Sequence, residues 1–366
     1  MKLRYKILTG LLGFLALAIA ALAIVIGYTA PCESAAPTAD GGDGMNAVVY
    51  RCYGSPDVLA LEEIEKPSPA DTEVLIRVKA AAVNPLDWHY MRGSPYIMRL
   101  GTGIGSPKDI RIGVDFAGIV EAVGDKVTQY KVGDEVFGGH AGAFADYVVV
   151  EEGRAISHIP DGVSFEQAAS LPIAALTALQ ALRDHGDLQA GQKVLINGAS
   201  GGVGTFAVQI AKSMGAEVHG VCSTRNVELV QSLGADRVWD YKKENYTESD
   251  EEYDLIVDMV GNHSLSRNRQ VLSPNGRLVM VGGPTGNWFD VLKRPIGAML
   301  VGPFVDQQLI SVFARLRKND LRTVAELVQS GEIRPVIDRR FPLADIAAAI
   351  RYSEEGRARG KIMITF

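Results

Sequence analysis

Cysteine is scarce. The chain of 366 residues has three, Cys32, Cys52 and Cys222. They lie far apart, are odd in number and form no Cys-x-x-Cys pair. That pattern speaks against a disulfide framework and against a cysteine zinc site. The six histidines, His89, His140, His158, His185, His219 and His263, show no ligand spacing either. Excess positive charge is also lacking. The net charge of −6 excludes a general nucleic-acid binder. Internal repeats are absent, and the one low-complexity stretch is short.

Charge is missing altogether from Ile7 to Ile26, after Lys2, Arg4 and Lys6. Such a run is long enough to cross the ~30 Å hydrocarbon core of a bilayer as a helix. A cleaved signal peptide is the alternative. Its apolar region should be shorter and followed by small residues at the cleavage site, and Tyr28-Thr29-Ala30 fits that poorly. Residues 1–30 are therefore expected to be an uncleaved anchor. "PCESAAPTADGGDG", residues 31–44, is expected to be a flexible linker. The preceding basic residues favour a cytoplasmic N-terminus and an exported remainder. Supply of a cytosolic cofactor, argued below, tilts the reading slightly toward a cytoplasmic catalytic domain.

What the chain has in quantity is apolar residues, 47%, and glycine, 39 residues. That is ample for two cores. From Met45 to about residue 165, short β-prone runs such as "EVLIRVKAAAVN" and "AFADYVVV" are broken by Gly, Asp and Pro. They suggest a small barrel. From there to about residue 305 the pattern alternates helix and strand. Strands are expected at residues 193–197, 217–222, 237–239, 254–258 and 277–281, in a doubly wound parallel sheet. After residue 306 come two helical stretches, "LRTVAELVQSG" and "LADIAAAIRYSEEG", and the apolar strand "KIMITF".

Within this α/β pattern, "VLINGASGGVG" reads as strand, tight turn and helix. Ala199, Gly201 and Gly204 occupy the three glycine positions of the dinucleotide fingerprint, with Ser200, Gly202 and Val203 between them. Gly201 lets a pyrophosphate approach, and Gly204 lets helix and strand pack closely. The second strand ends in "CSTRN". An acid to bind a free ribose 2′-hydroxyl is missing there. Ser223, Thr224 and Arg225 stand in its place and suit a 2′-phosphate. The expected cofactor is NADPH.

Several ordered stretches, "AAVNPLDWHYMRG", "GVDFAGIVEAVG", "NGASGGVGTFAVQIAKSMGA" and "SGEIRPVIDRRFPLADIAAAI", resemble the medium-chain dehydrogenase/reductases. The match is to the zinc-independent quinone oxidoreductase branch that includes zeta-crystallin, over Met45 to Phe366. The resemblance implies a GroES-like barrel domain (residues 45–165), a Rossmann domain inserted in it (166–305) and a return to the first domain (306–366). The active site would lie in the cleft between them. Asn84 stands where zinc-dependent relatives carry a cysteine, and Gly113-Val114-Asp115 stands for their Gly-His-Glu. No catalytic metal is therefore expected.

The resemblance also implies site residues. Asn84 would face the nicotinamide ribose and substrate, with Asp87 nearby. His89, where relatives carry Tyr, and Tyr90 complete the catalytic candidates. Thr177 would face the cofactor; a helix residue bonding its own backbone is the alternative. Tyr241 would reach the adenosine phosphate. Val260, Gly261, Asn262, Gly282 and Gly283 end strands and would border the nicotinamide. Lys361 would be a basic group near the cofactor, or a surface lysine. The implied reaction is hydride transfer from NADPH to a quinone or an α,β-unsaturated carbonyl. Alcohol oxidation is the enzymatic alternative, and a membrane-tethered NADPH sensor or scaffold with little turnover is the non-enzymatic one. A homodimer is expected, paired through Rossmann edges near Pro295–Val305.

Overall fold

The structure, a computed structural model, describes residues 13–14, 17–18, 20–32, 44–283, 286–288 and 290–366. Its first part is built of short strands. β1 (Gly44–Val49) and β2 (Ala60–Glu65) form an antiparallel hairpin. β3 (Glu73–Val83) runs into helix α1 (Pro85–Arg92) at Asn84. β4 (Asp115–Val123), β5 (Glu135–Gly139), β6 (Tyr147–Glu151) and β7 (Ile156–His158) complete this part. β3 is the centre of the sheet. It pairs with β4 and β6 on the way, so its apolar residues Val74, Ile76 and Val78 are buried.

Helices α2 (Phe165–Ala169) and α3 (Pro172–Gln180) lead into the second part. There β8 (Lys193–Asn197), α4 (Gly202–Ser213), β9 (Glu217–Cys222), α5 (Val227–Ser232), β10 (Arg237–Asp240), β11 (Tyr253–Asp258), α6 (Leu265–Gln270), β12 (Leu272–Met280), α7 (Asp290–Val301) and β13 (Gln308–Ser311) follow in order. The six strands are parallel, in the order β10-β9-β8-β11-β12-β13. The strand order reverses between β8 and β11, which opens a crevice at their carboxyl ends. The five strands expected from sequence are all present. α8 (Lys318–Gln329), β14 (Ile337–Pro342), α9 (Ile346–Glu354) and β15 (Lys361–Thr365) then return to the first sheet, where β15 pairs antiparallel with β3. The chain is thus an α/β protein with a GroES-like part and a Rossmann-like parallel sheet.

Three expectations are corrected. Pro295–Val305 is not an edge strand. Most of it is the end of α7, with Ile296, Met299, Leu300 and Phe304 exposed. An apolar run of that length does not distinguish strand from helix by periodicity alone. β13, one of the two edges of this sheet, lies beyond residue 305.

The spanning helix expected over Ile7–Ile26 is also not found. Among the described residues no helix is long and apolar enough to cross a membrane. Residues 7–12, 15–16 and 19 of that stretch, and 33–43 of the expected linker, lie outside the described residues. The described end of the stretch is held by protein. The buried Arg99 donates through Nη1 to the carbonyls of Ile26, Gly27 and Tyr28, at 3.2, 3.2 and 2.7 Å. These are the carbonyls a helix leaves free at its end. Gly27 packs on Trp288 and Tyr96, where a Cβ would come within 3.2 Å of the indole.

The cysteine reading needs correction too. Cys32 and Cys52 form a disulfide, their Cα atoms 4.8 Å apart. Spacing along the chain does not show it, because the pairing depends on where the preceding residues dock, residues 26–28 on Arg99 and Ala30 on the Gly105 carbonyl.

Candidate active site

The carboxyl end of β3, the start of β4 and the start of β15 meet by register: Ala82 pairs with Asp115 and Val83 with Ile362. This brings together three polar side chains at most 2% exposed, Asn84, Asp115 and Lys361. Lys361 Nζ donates to Asn84 Oδ1 at 2.6 Å and to Asp115 Oδ2 at 3.2 Å. Asn84 Nδ2 donates to Asp115 Oδ2 at 2.9 Å and to the Ala82 carbonyl at 3.3 Å. The remaining oxygen of Asp115 accepts from the backbone N–H of Ile173, in the first turn of α3, at 3.0 Å. Buried charges persist only when paired and hydrogen-bonded, and this cluster meets both conditions. Burial pushes the Asp115 carboxyl up, and the Lys361 ammonium opposes that.

Asp87 is fully buried in the first turn of α1. Its Oδ2 accepts from the Asn84 backbone N–H at 2.7 Å, and its Oδ1 has no partner. Burial pushes its pKa up to about 8, with nearby Asp115 adding to the shift. His89 Nδ1 lies 2.6 Å from the Ser94 carbonyl at the end of the same helix, and burial holds the imidazole below its ordinary range. Burial, then Asp87, holds the Tyr90 hydroxyl above its ordinary range.

The second half of the site is the turn between β8 and α4. Gly198 has φ 95°, which glycine adopts without strain. A Cβ on Gly204 would lie 2.1 Å from the Gly198 carbonyl, so helix and turn touch there. A Cβ on Gly201 would meet nothing closer than 3.5 Å. That space lies at the amino end of α4, where free N–H groups and the helix dipole favour an anion. The two halves join. Gly201 forms a backbone bridge with Gly360, and the Lys361 stem lies beside Gly202. Lys361 is thus neither a surface lysine nor aimed at the turn with its charge; its ammonium points to Asn84 and Asp115.

Two family descriptions match, the alcohol dehydrogenase GroES-like domain over residues 70–161 and the zinc-binding dehydrogenase over residues 233–364. A chloroplast envelope quinone oxidoreductase homolog of Arabidopsis thaliana is 33% identical over 343 residues, spanning 88% of this chain and 99% of the relative. The chain belongs to the medium-chain dehydrogenase/reductase superfamily, among its quinone oxidoreductase-like members. An NADPH-dependent alkenal/one oxidoreductase of the same plant is 32% identical, over 87% of this chain and 79% of its own. The solved quinone oxidoreductase of Coxiella burnetii superposes with a TM-score of 0.78 at 28% identity, covering 88% and 100% of the two chains. This medium-chain dehydrogenase/reductase is accordingly an oxidoreductase that uses a nicotinamide cofactor.

The residues around the turn fit such a cofactor. Ser200 and Ser223 are half-buried at the ends of neighbouring strands β8 and β9. Arg225 is exposed and donates through Nη2 to the Arg357 carbonyl at 2.6 Å. Thr224 Oγ1 donates to Asp240 Oδ2 at 2.7 Å. Asp240 comes from the next strand, so an acid does stand near this position, though not on β9. Burial pushes it up, but bonds from Thr224, the Lys242 backbone and Lys243 hold it below the ordinary carboxylate range. Tyr241 is 54% exposed beside it.

Val260, Gly261 and Asn262 follow β11. Asp258 Oδ1 accepts from the N–H groups of Val260 and Gly261, at 3.1 and 2.9 Å. Asn197 Nδ2 donates to both Asp258 Oδ1 and Asn262 Oδ1 at 2.8 Å. A Cβ on Gly282 would lie 2.3 Å from the Met259 carbonyl, so the turns after β11 and β12 touch, while Gly283 has open space. The Thr177 hydroxyl donates to the Ile173 carbonyl at 2.6 Å, which is the backbone bond weighed as its alternative. Asp115, Asp240, Asp258 and Arg357 were not among the sequence candidates. A lone acid in the apolar strand "GVDFAGIV" was the available signal for Asp115.

Among the described residues no group of three or more His, Cys, Asp or Glu side chains is placed to hold a metal ion. A basin of about 620 Å³ on the second part is lined by Arg237, Trp239, Glu244, Glu248, Asp250 and Glu251, among others. Its four carboxylates repel phosphates, and it shares no residue with the site.

Proposed function

We propose that the protein is an NADPH-dependent, zinc-independent reductase acting on quinones or α,β-unsaturated carbonyls. The observation that carries this reading is the pair of turns after β8 and β9. They carry Ser200 and Ser223, joined through the Asn226 amide, and the exposed Arg225, while Asp240 beside them is paired with Lys243. The names of the plant relatives, one a quinone oxidoreductase homolog and one an NADPH-dependent alkenal/one oxidoreductase, support it.

The cofactor supplies the hydride when bound. The chain's part is to bind, orient and exclude water. Gly201, Gly202 and the start of α4 receive the pyrophosphate. Ser223 and Arg225 receive the 2′-phosphate. The turns at Val260–Asn262 and Gly282–Gly283 border the nicotinamide. The Asn84–Asp115–Lys361 cluster keeps the wall opposite rigid, because every polar atom of Asn84 is already bonded. A proton must follow the hydride. Asp87 is fully buried, with Oδ2 accepting from the Asn84 N–H, and His89 Nδ1 is tied to the Ser94 carbonyl. Tyr90 keeps its proton at neutral pH and its hydroxyl bonds no other group among the described residues, so it serves as the donor where solvent does not.

Steady-state NADPH oxidation against a panel of quinones and enones tests the reading. Turnover that survives chelation is expected. Activity only with alcohols and NADP⁺, tight NADPH binding without turnover, or a rate restored specifically by zinc would each reject it. We also propose a homodimer, paired along the edge strand β13 beside the exposed apolar residues Met299, Leu300 and Phe304. Unpaired edges are templates for pairing. A monomeric mass by light scattering would reject the dimer.

A further inference from the structure

Asn226 is 5% exposed and sits behind the two serines. Its Nδ2 donates to Ser200 Oγ at 2.8 Å and to Ser223 Oγ at 3.4 Å, and its Oδ1 is buried without a partner. The two serines belong to different turns, one after β8 and one after β9. Neither hydroxyl donates to any protein group among the described residues. A serine hydroxyl has one proton to give and two lone pairs. When an amide N–H occupies a lone pair, the hydroxyl's own proton is left to point elsewhere, and the bond it makes is strengthened by polarisation. A phosphate dianion only accepts hydrogen bonds. It therefore needs both hydroxyls turned outward as donors.

We infer that Asn226 is a positioning residue for cofactor recognition: its amide, bridging Ser200 and Ser223, sets both hydroxyls as outward donors, one to the pyrophosphate and one to the ribose 2′-phosphate. This rests on the NADPH reading above. Asn226 touches no cofactor atom itself and acts through the two serines. The tie also fixes the distance between the two anion positions, because one amide group holds both turns. An aspartate here would do the reverse. A carboxylate only accepts, so it would draw both hydroxyl protons inward and add a buried negative charge behind two phosphate positions.

The test is direct titration of NADPH and of NADH, followed by calorimetry, into wild type, Asn226→Ala, Asn226→Asp, Ser223→Ala and the double variant Asn226→Ala/Ser223→Ala. Wild type is expected to bind both cofactors, NADPH more tightly. Asn226→Asp should weaken NADPH by about 10-fold or more beyond its effect on NADH. Asn226→Ala should lower the NADPH-to-NADH preference, and in the Ser223→Ala background it should lower it no further. Additive losses of preference in the double variant would overturn the inference, as would equal losses for both cofactors in Asn226→Asp. Ser223→Ala lies at a half-buried position and keeps the question answerable should Asn226 variants unfold: an unchanged preference there also overturns it. Wild type that binds neither cofactor would sink the NADPH reading itself, which is a separate outcome from wild type binding and Asn226 being silent.

Discussion

Arg225 and Asp87 show how one side chain can be tested apart from its neighbours. The Arg225 guanidinium spends one N–H on the Arg357 carbonyl and makes no other hydrogen bond among the described residues. A hydrogen bond to a charged group is worth roughly 1.5–3 kcal/mol, so Arg225→Ala should weaken NADPH roughly 10- to 150-fold. NADH, without the 2′-phosphate, should change little; equal losses would mean that Arg225 only holds the loop on Arg357. Asp87 is a question of pH. Its carboxyl sits near 8 in the folded chain, against about 3.9 unfolded. The folded state therefore holds this proton more tightly. The stability it contributes is complete below about pH 4 and is lost as the pH rises toward 8. Asp87→Asn keeps an acceptor for the Asn84 N–H and removes the titration. Its thermal midpoint should fall less than that of wild type between about pH 5 and pH 8, and parallel pH profiles would show that the carboxyl is not held protonated.

The strand–turn–helix at β8 and α4 was legible in the sequence because all its signals are local: an apolar β-prone run, glycines in order, then helical periodicity. Its glycines now divide by role. Gly204→Ala forces a Cβ to within 2.1 Å of the Gly198 carbonyl, and overpacking of this kind costs about 1–3 kcal/mol. Gly201→Ala meets no atom closer than 3.5 Å and has an ordinary φ of −83°. The first variant should lose thermal stability, while the second should melt like wild type and lose cofactor affinity. Should Gly201→Ala bind NADPH normally, the pyrophosphate does not lie against that residue. What was not legible depends on register between distant strands. Asp115 and Lys361 are 246 residues apart, and only the β4-β3-β15 order makes them neighbours. Asp240 reaches Thr224 from the next strand in the same way. Thr177 could be read either as a cofactor contact or as a backbone-bonded helix residue, and no pattern along the chain chooses between them. α7 shows the opposite failure: apolar residues were plain to see, but their number allowed either element.

Across the molecule, the beginning of the described chain is fastened twice, by Arg99 and by the Cys32–Cys52 disulfide. With the two cysteines 20 positions apart, the bond should stabilise the fold by about 3 kcal/mol in a chain-entropy account. Cys52→Ala and reductant-treated wild type should melt at the same lowered temperature, and an unchanged midpoint would mean the link is not formed. The ties between the two parts have a mechanical side as well. Gly360 is bridged to Gly201 through backbone, and Lys361 reaches from beside Gly202 into the Asn84 cluster. If one part rocks against the other, this seam is the axle, and an axle travels least. The turn proposed to receive phosphates would stay closed, while contacts off the axis, such as the edge-on rings of Tyr96 and Trp288, would part. Such a machine loads in sequence, cofactor first and acceptor second. Product-inhibition patterns should show compulsory order, and a random-order pattern would place the axle elsewhere.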